Sequence, residues 1–269
     1  MTHPQQDVGQ TMARTGTQSI ERTFELLKVI ALRGQFGWRL RDIASHCAMS
    51  TSTAHRLLGC LVRERMIYLR TRDHHYIPGP MLLELGFALS PAYGKFLSNC
   101  EAPLARAARR ADAVAYLMLR SGDDSVCARR AGTTCVRGIT INVGTRRPLL
   151  ASLGGIAMLL ALKDDERKRV VARNVHALSS YGAQRVAGFQ QVLLRSQKAG
   201  YAFSFEDMAR GLVGVGAAIR DARGDPLASV AIVGTDQQAL REQPKKVLAA
   251  MEPELAQIAA EAGRIDLEL

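Results

Sequence analysis

Residues 40–66, LRDIASHCAMSTSTAHRLLGCLVRERM, carry two short apolar patterns split by a few residues, and this spacing constrains the fold more than any other feature. Leu40, Ile43, Ala44 and Cys47 fall on one face of a short helix, and Ala54, Leu57, Leu58 and Leu61 on one face of the next. Two short helices with apolar inner faces and a tight turn form a helix-turn-helix. Small Ala44 lets the helices approach, and Met49 fills the turn. The second helix opens with four hydroxyl residues, Ser50, Thr51, Ser52 and Thr53. Such residues compete for the backbone inside helices, but Ser50 suits an N-cap. Thr51, Ser52 and Thr53 then lie on the first turn, the end of a recognition helix that enters a major groove. Short hydroxyls there reach phosphates or base edges. His55 and Arg56 follow on the outward face, with Arg63 further along. An ordinary capped helix in an all-α core would show the same local pattern.

The flanks favour the DNA-binding alternative. Upstream, Ser19 is placed to cap a helix whose face is Ile20, Phe24, Leu27 and Ala31, stopped by Gly34. Downstream, IYLRTRDHHYIPG reads as a hairpin with a polar turn over residues 71–74. It forms a basic wing with Arg70, Arg72, His74 and His75, suited to gripping phosphates. Residues 20–80 hold ten Lys/Arg against five acids, a net of +5 in a chain of net +11 and pI near 9.9. Such a balance points to a polyanionic partner, nucleic acid before a membrane surface.

No apolar run is long enough to span a membrane, and the polar start lacks a signal-peptide core. The expectation is a cytoplasmic protein with a disordered arm over residues 1–18. Cys47, Cys60, Cys100, Cys127 and Cys135 are odd in number and never in C-x-x-C spacing. A disulfide framework or zinc site does not fit them. They read as small core residues, with a redox sensor as the sharper alternative.

Pro80 suits the first position of a helix, in which Leu82, Leu83, Leu85, Phe87 and Leu89 are apolar nearly all round. A linker helix of this kind must bury itself, most simply against a second subunit. Pro91 is expected to kink or end it, with a further helix from Phe96 to Arg110. Beyond it, AVAYLMLRSG, DSVCARRAG and RGITINVG read as strands. ASLGGIAMLLALKDDERKRVV gives one or two helices and VAGFQQVLLRSQKAG another. GVGAAIRD and PLASVAIVG form a hairpin, and the last helix is interrupted at Pro253. The fold class is α+β, an antiparallel sheet flanked by helices.

Past residue 75 the sole histidine is His176, which leaves little from which to build a Ser-His-Asp or Cys-His site. No cofactor or metal is expected, and no dinucleotide or phosphate loop is present. The glycines of GLVGVGAAI let a ligand lie against the sheet, or let a helix pack closely on the strand. In LASLGGIAM, Ser152 or Gly154 sits near the start of an apolar helix, where free N–H groups and the dipole suit a small carboxylate. Arg146 and Arg147 precede it and add positive charge.

The stretch LRDIASHCAMSTSTAHRLLGCLVRERMI followed by YIPGPMLLELG resembles the winged-helix domain of IclR-type bacterial transcriptional regulators, most specifically in T-x-H-R-L-L and G-P-x-L-L-E-L-G. VGTRRPLLASLGGIAMLLAL and GYAFSFEDMARGLVGVGAAIRDARGDPLASVAIVG extend the resemblance over residues of about 19 to 262. It implies a winged helix-turn-helix over 19–79, a linker helix over 80–95 that helps form dimers, and a GAF-like effector domain over 96–269. The DNA contacts read from the helix and wing residues are Thr51, Ser52, Thr53, His55, Arg56, Arg63, Arg70 and Arg72. The resemblance implies an effector pocket at Leu153, Gly154 and Gly155, with Ser204 and Gly214 placed by position alone. The chain departs from the family at several points. Ala48 stands where the turn often has Gly, and a left-handed Ala there costs about 1 kcal/mol. The wing turn has no Gly. Gly214 replaces a common Cys or Ser, Ser204 replaces an acid, and Gly154, Gly155 and Ile156 replace Ser-Gly-Lys/Arg. Effector identity therefore does not carry over. The combined expectation is a dimeric or tetrameric regulator of double-stranded operator DNA, modulated by a small organic acid. The rivals are an enzyme with a DNA-binding appendage and a ligand-independent or redox-sensing DNA-binding protein.

Overall fold

The computed structural model describes residues 17–133, 141–235 and 238–265, and it divides into two compact units between Gly86 and Phe87. Most of the expected N-terminal arm, and Cys135, lie outside the described residues.

The first unit holds α1 (Gln18–Arg33), α2 (Leu40–His46), α3 (Thr51–Arg63), β1 (Ile67–Arg70) and β2 (His75–Pro78). β1 and β2 pair antiparallel from Ile67↔Pro78 to Arg70↔His75, which is the expected wing. Trp38 bridges to Tyr76 through two backbone bonds of 3.1 and 2.8 Å and ties the wing to the start of α2. Leu26, Ile30, Ile43, Leu57, Leu58, Leu61, Ile67 and Tyr76 share one core. The expected apolar faces of α2 and α3 are the buried ones.

The face assigned to α1 is corrected. The helix buries Leu26, Val29 and Ile30, whereas Ile20 is 55% and Phe24 56% exposed. The helix carries two apolar stripes, and periodicity alone does not say which one meets the core. Ser19 is not the cap. It lies inside α1, and its carbonyl accepts the Thr23 hydroxyl at 2.7 Å. Gly34 does end the helix, at φ 48°.

α4 (Met81–Asn99) continues through Pro91 without ending there, and the break falls at Cys100, before α5 (Glu101–Ala111). Phe96 therefore belongs to α4 and does not begin the next helix. Leu83, Leu85 and Phe87 are all at least half exposed on α4, while the side chain of Leu89 lies outside the description.

The second unit is built on β3 (Val114–Ser121), β4 (Asp124–Ala131), β5 (Arg146–Pro148), β6 (Ala202–Phe205), β7 (Leu212–Arg220) and β8 (Pro226–Thr235). They form one antiparallel sheet in the order β5-β4-β3-β8-β7-β6. One face is covered by α6 (Leu153–Ala161), α7 (Asp164–Ala177) and α8 (Ala183–Ala199). The other is covered by the end of α4, α5, α9 (Gln238–Glu242), α10 (Pro244–Ala250) and α11 (Glu252–Ala262). The expected strand RGITINVG lies outside the described residues up to 140, and residues 141–144 form a turn; the short edge strand is Arg146–Pro148 instead. The terminal helix breaks where expected, with Pro253 in the first turn of α11, where its missing N–H costs nothing.

Candidate nucleic-acid interface and ligand cavity

α3 begins as its hydroxyl run dictates. Ser50 is the N-cap, accepting the Thr53 amide on Oγ at 3.2 Å. Its hydroxyl donates to Thr53 Oγ1 at 2.8 Å and lies 3.1 Å from Ser52 Oγ. Thr51, Ser52, His55 and Arg56 are exposed, and Thr53 is half-buried. Arg63 is exposed near the far end of the helix and donates to Cys60 Sγ at 3.0 Å. The tip of α3 is therefore capped, polar and open to solvent. The turn before it runs through Ala48 at φ 48°, the left-handed conformation anticipated for a position where Gly is common.

The wing is less uniform than its sequence implies. Arg70 is occupied: Nε and Nη2 donate to the Asp73 carboxylate at 2.9 and 2.7 Å, and its other bonds reach Gln35 O and Phe36 O at 2.7 and 3.1 Å. It braces the wing turn against the end of α1. The guanidinium beside Asp73 holds that carboxyl well below its usual range, helped by the His75 amide. His75 also turns inward, its ring nitrogen 3.0 Å from Asp73 O. Arg72 and His74 are exposed at the turn, and His74 takes φ 56° where the turn lacks a glycine.

In the second unit, Ser152 caps α6 by accepting the Gly155 amide at 3.0 Å, and its oxygen lies 3.0 Å from buried Ser125 Oγ. Beside this cap lies a cavity of about 70 Å³. It is lined by Ile141, Arg147, Ser152, Leu153, Ser204, Met208, Leu212, Gly214 and Val233, among others. Of the expected pocket residues, Leu153, Ser204 and Gly214 meet there, while Gly154 and Gly155 do not line it. A Cβ on Gly154 would sit 2.7 Å from Ser229 Oγ and 2.8 Å from Met118 Cγ, and one on Gly155 only 2.1 Å from Leu149 O. These two are bare because α6 presses on the sheet and on the turn before it. Gly214 has the same constraint, with Ile232 O 2.5 Å and Leu153 Cδ2 2.8 Å from an added Cβ. At Gly214 close packing of the neighbouring strand and of α6 accounts for the missing side chain, whereas at Gly216 the nearest atom is 3.4 Å away and packing does not demand glycine.

The Arg146–Arg147 pair splits across the sheet. Arg146 is bound to Asp124 at 2.7 Å and Ser121 Oγ at 3.0 Å. Arg147 pairs with Ser125 in the ladder and lines the cavity, and its buried Nε has no hydrogen-bond partner among the described residues. Sequence reading missed the connector over residues 206–211, which supplies Met208 and Ala209 to the cavity. Its apolar residues between two strands were the available signal. The connector is held by Asp207, which accepts from Arg195 at 2.6 Å and from the Phe205 amide at 2.8 Å. His176 is exposed in the last turn of α7. Burial pushes the Cys47 and Cys127 thiols up to about 11 and the Cys100 thiol up to about 12. Such thiols stay protonated and unreactive at neutral pH.

The IclR helix-turn-helix domain model matches residues 19–70, and the model described as bacterial transcriptional regulator IclR C-terminal matches residues 96–260. The chain belongs to the IclR family. It is thus a DNA-binding transcriptional regulator of that family, with the family's helix-turn-helix and C-terminal domains. The transcriptional repressor IclR of Escherichia coli (strain K12) is 24% identical over 229 residues, covering 83% of this chain and 82% of the relative. The fold also matches an IclR transcriptional regulator from Alicyclobacillus acidocaldarius, with TM-score 0.67, 19% identity and coverage of 91% and 98%. An IclR homologue from Microbacterium hydrocarbonoxydans, solved with 4-hydroxybenzoate, matches with TM-score 0.65, 18% identity and coverage of 91% and 99%. Among the described residues no helix of this IclR-family chain is long and apolar enough to cross a membrane.

Proposed function

We propose that this IclR-type regulator binds a roughly palindromic operator as a dimer or a dimer of dimers, and that a small organic acid in the second unit tunes that binding. The observation that carries the DNA half is the open, capped tip of α3, with Thr51, Ser52, His55 and Arg56 exposed. Thr53, Arg63 and Arg72 extend the contact surface, and Arg70 supports it from behind. In helix-turn-helix dimers, half-sites lie about one helical turn or a multiple apart. Self-association is supported by Ile20, Phe24, Leu83, Leu85 and Phe87, large apolar side chains left in solvent.

The effector half is supported by the cavity beside the α6 cap, and by the 4-hydroxybenzoate bound to a homologue of the same fold. The cavity is small next to the ~300–1,000 Å³ of drug-sized sites, so its occupant is compact. The GAF-like unit acts as a sensor rather than an enzyme: it binds without turning its ligand over. A ligand with unequal affinity for two arrangements of the dimer shifts their balance. A coupling of ~1–3 kcal/mol changes operator affinity roughly 5–150-fold.

The test is operator footprinting and anisotropy with the double variant Thr51→Ala/Arg56→Ala. Operator affinity should fall while the dimer stays intact, and wild-type log affinity should fall with log salt by about 0.9 per neutralised phosphate. Unchanged footprints, or a slope near zero, would remove α3 from the interface.

A further inference from the structure

We infer that Arg147 fixes the carboxylate of the effector and so restricts this regulator to compact monocarboxylates with an apolar body. The inference rests on the effector reading of the cavity and adds its ligand class.

Strand pairing places Arg147 opposite Ser125. Antiparallel partners share a face, and Ser125 touches Ser152 at the α6 cap. Arg147 therefore points to the α6 side of the sheet, where it lines the cavity. Among the described residues its guanidinium has no acid. Several carboxylates of the second unit already have arginines of their own: Asp124 holds Arg146 at 2.7 Å, Asp123 holds Arg173, Glu166 holds Arg120, and Asp207 holds Arg195 at 2.6 Å. Glu206 is bound to Arg241 at 2.8 Å. No ion pair reaches Arg147 among the described residues, and its Nε is buried without a partner.

A guanidinium taken partly out of water without a counter-charge is unfavourable for folding. Arg130 is likewise buried at Nε and without an ion pair among the described residues, but it does not line this cavity; Arg147 does, so a ligand there can bring the missing counter-charge. Arginine also presents a fork that matches a carboxylate. The positive end of α6 lies on the same side and adds to the field. The other walls set the rest of the ligand. Ile141, Leu153, Met208, Leu212 and Val233 offer apolar contact, so a second charge would be stranded among them.

The test uses full-length protein with benzoate, 4-hydroxybenzoate and butyrate, each beside its neutral amide, and succinate as the dicarboxylate. Calorimetric titration and thermal shift are run on wild type, Arg147→Met and Arg147→Lys. At least one monocarboxylate should bind wild type, with its amide and succinate at least tenfold weaker. Arg147→Met should weaken the acid about 10–100-fold, as for a lost charge-assisted bond, and Arg147→Lys should recover part of the loss. Ligand-free Arg147→Met should melt no lower than wild type. Acid affinity unchanged in Arg147→Met, or a lowered ligand-free melting temperature, overturns the inference. Amides that bind as well as acids leave the cavity an effector site but remove Arg147 as its anchor. If none of the probes binds, the ligand class is wrong, and operator binding measured in parallel shows whether the regulator reading still stands.

Discussion

Consider Ala48 replaced by glycine. Ala48 sits in the turn before the recognition helix at φ 48° and is exposed, so its methyl group adds no core packing. Its amide donates to Ser45 O at 3.2 Å, a bond that does not depend on the side chain. A left-handed backbone costs a non-glycine L-residue roughly 1–2 kcal/mol. Glycine escapes that cost but loses about 0.5–1 kcal/mol through the greater freedom of its unfolded chain. The midpoints of the two ranges leave Ala48→Gly more stable by about 0.75 kcal/mol, within a span of roughly 0–1.5 kcal/mol. For a unit of this size the midpoint corresponds to roughly 3–6 °C in its melting transition. Differential scanning calorimetry of the full chain, following the transition of the first unit, measures it. Ala48→Val should move the other way, because a β-branched residue tolerates this conformation least. A glycine variant that melts at or below wild type would show that the turn is not strained. The turn would then not hold α3 at a cost.

Three other outcomes follow from packing and charge. Asp73→Asn should lower the melting temperature of the first unit at neutral pH by releasing Arg70 from the wing. Because folding depresses the Asp73 pKa, its contribution is present above the ordinary carboxylate range and disappears as pH falls through the folded value, so variant and wild type should converge in strong acid. Gly155→Ala should destabilise the second unit by about 1–3 kcal/mol in urea titration, since the new methyl would meet Leu149 O. Phe24→Asp, on the exposed stripe of α1, should shift sedimentation from dimer toward monomer while leaving the fold intact; an unchanged dimer would place the subunit contact elsewhere.

What could be read in advance follows from where the physics is local. Ala54, Leu57, Leu58 and Leu61 form the one apolar stripe of their helix, so their spacing named both helix and buried face. The wing strands came out at Ile67–Arg70 and His75–Pro78 because a polar turn between apolar runs leaves few pairings. The left-handed turn at Ala48 was legible only through the family resemblance, which puts Ala48 where Gly is common. Other features depend on partners far along the chain. α1 has two apolar stripes, and only contact with α2 and α3 selects Leu26, Val29 and Ile30. Arg70 looks like any basic wing residue until Gln35, Phe36 and Asp73 converge on it. Gly154 and Gly155 are bare for a ligand or for a neighbour alike, and the sheet beneath Gly154 and the turn at Leu149 beside Gly155 decide for the neighbour. Adjacent Arg146 and Arg147 diverge in role because pleating sends them to opposite sides.

The connector over residues 206–211 is tethered through Asp207 to Arg195 and through Glu206 to Arg241, while the walls it gives the cavity, Met208 and Ala209, belong to no strand. Substitutions at those two sites alter the chamber without disturbing any ladder bond. If the proposed effector reading holds, part of the chamber's shape is thereby carried off the sheet, so its ligand range can be altered at Met208 and Ala209 while Arg147 and the strands stay as they are.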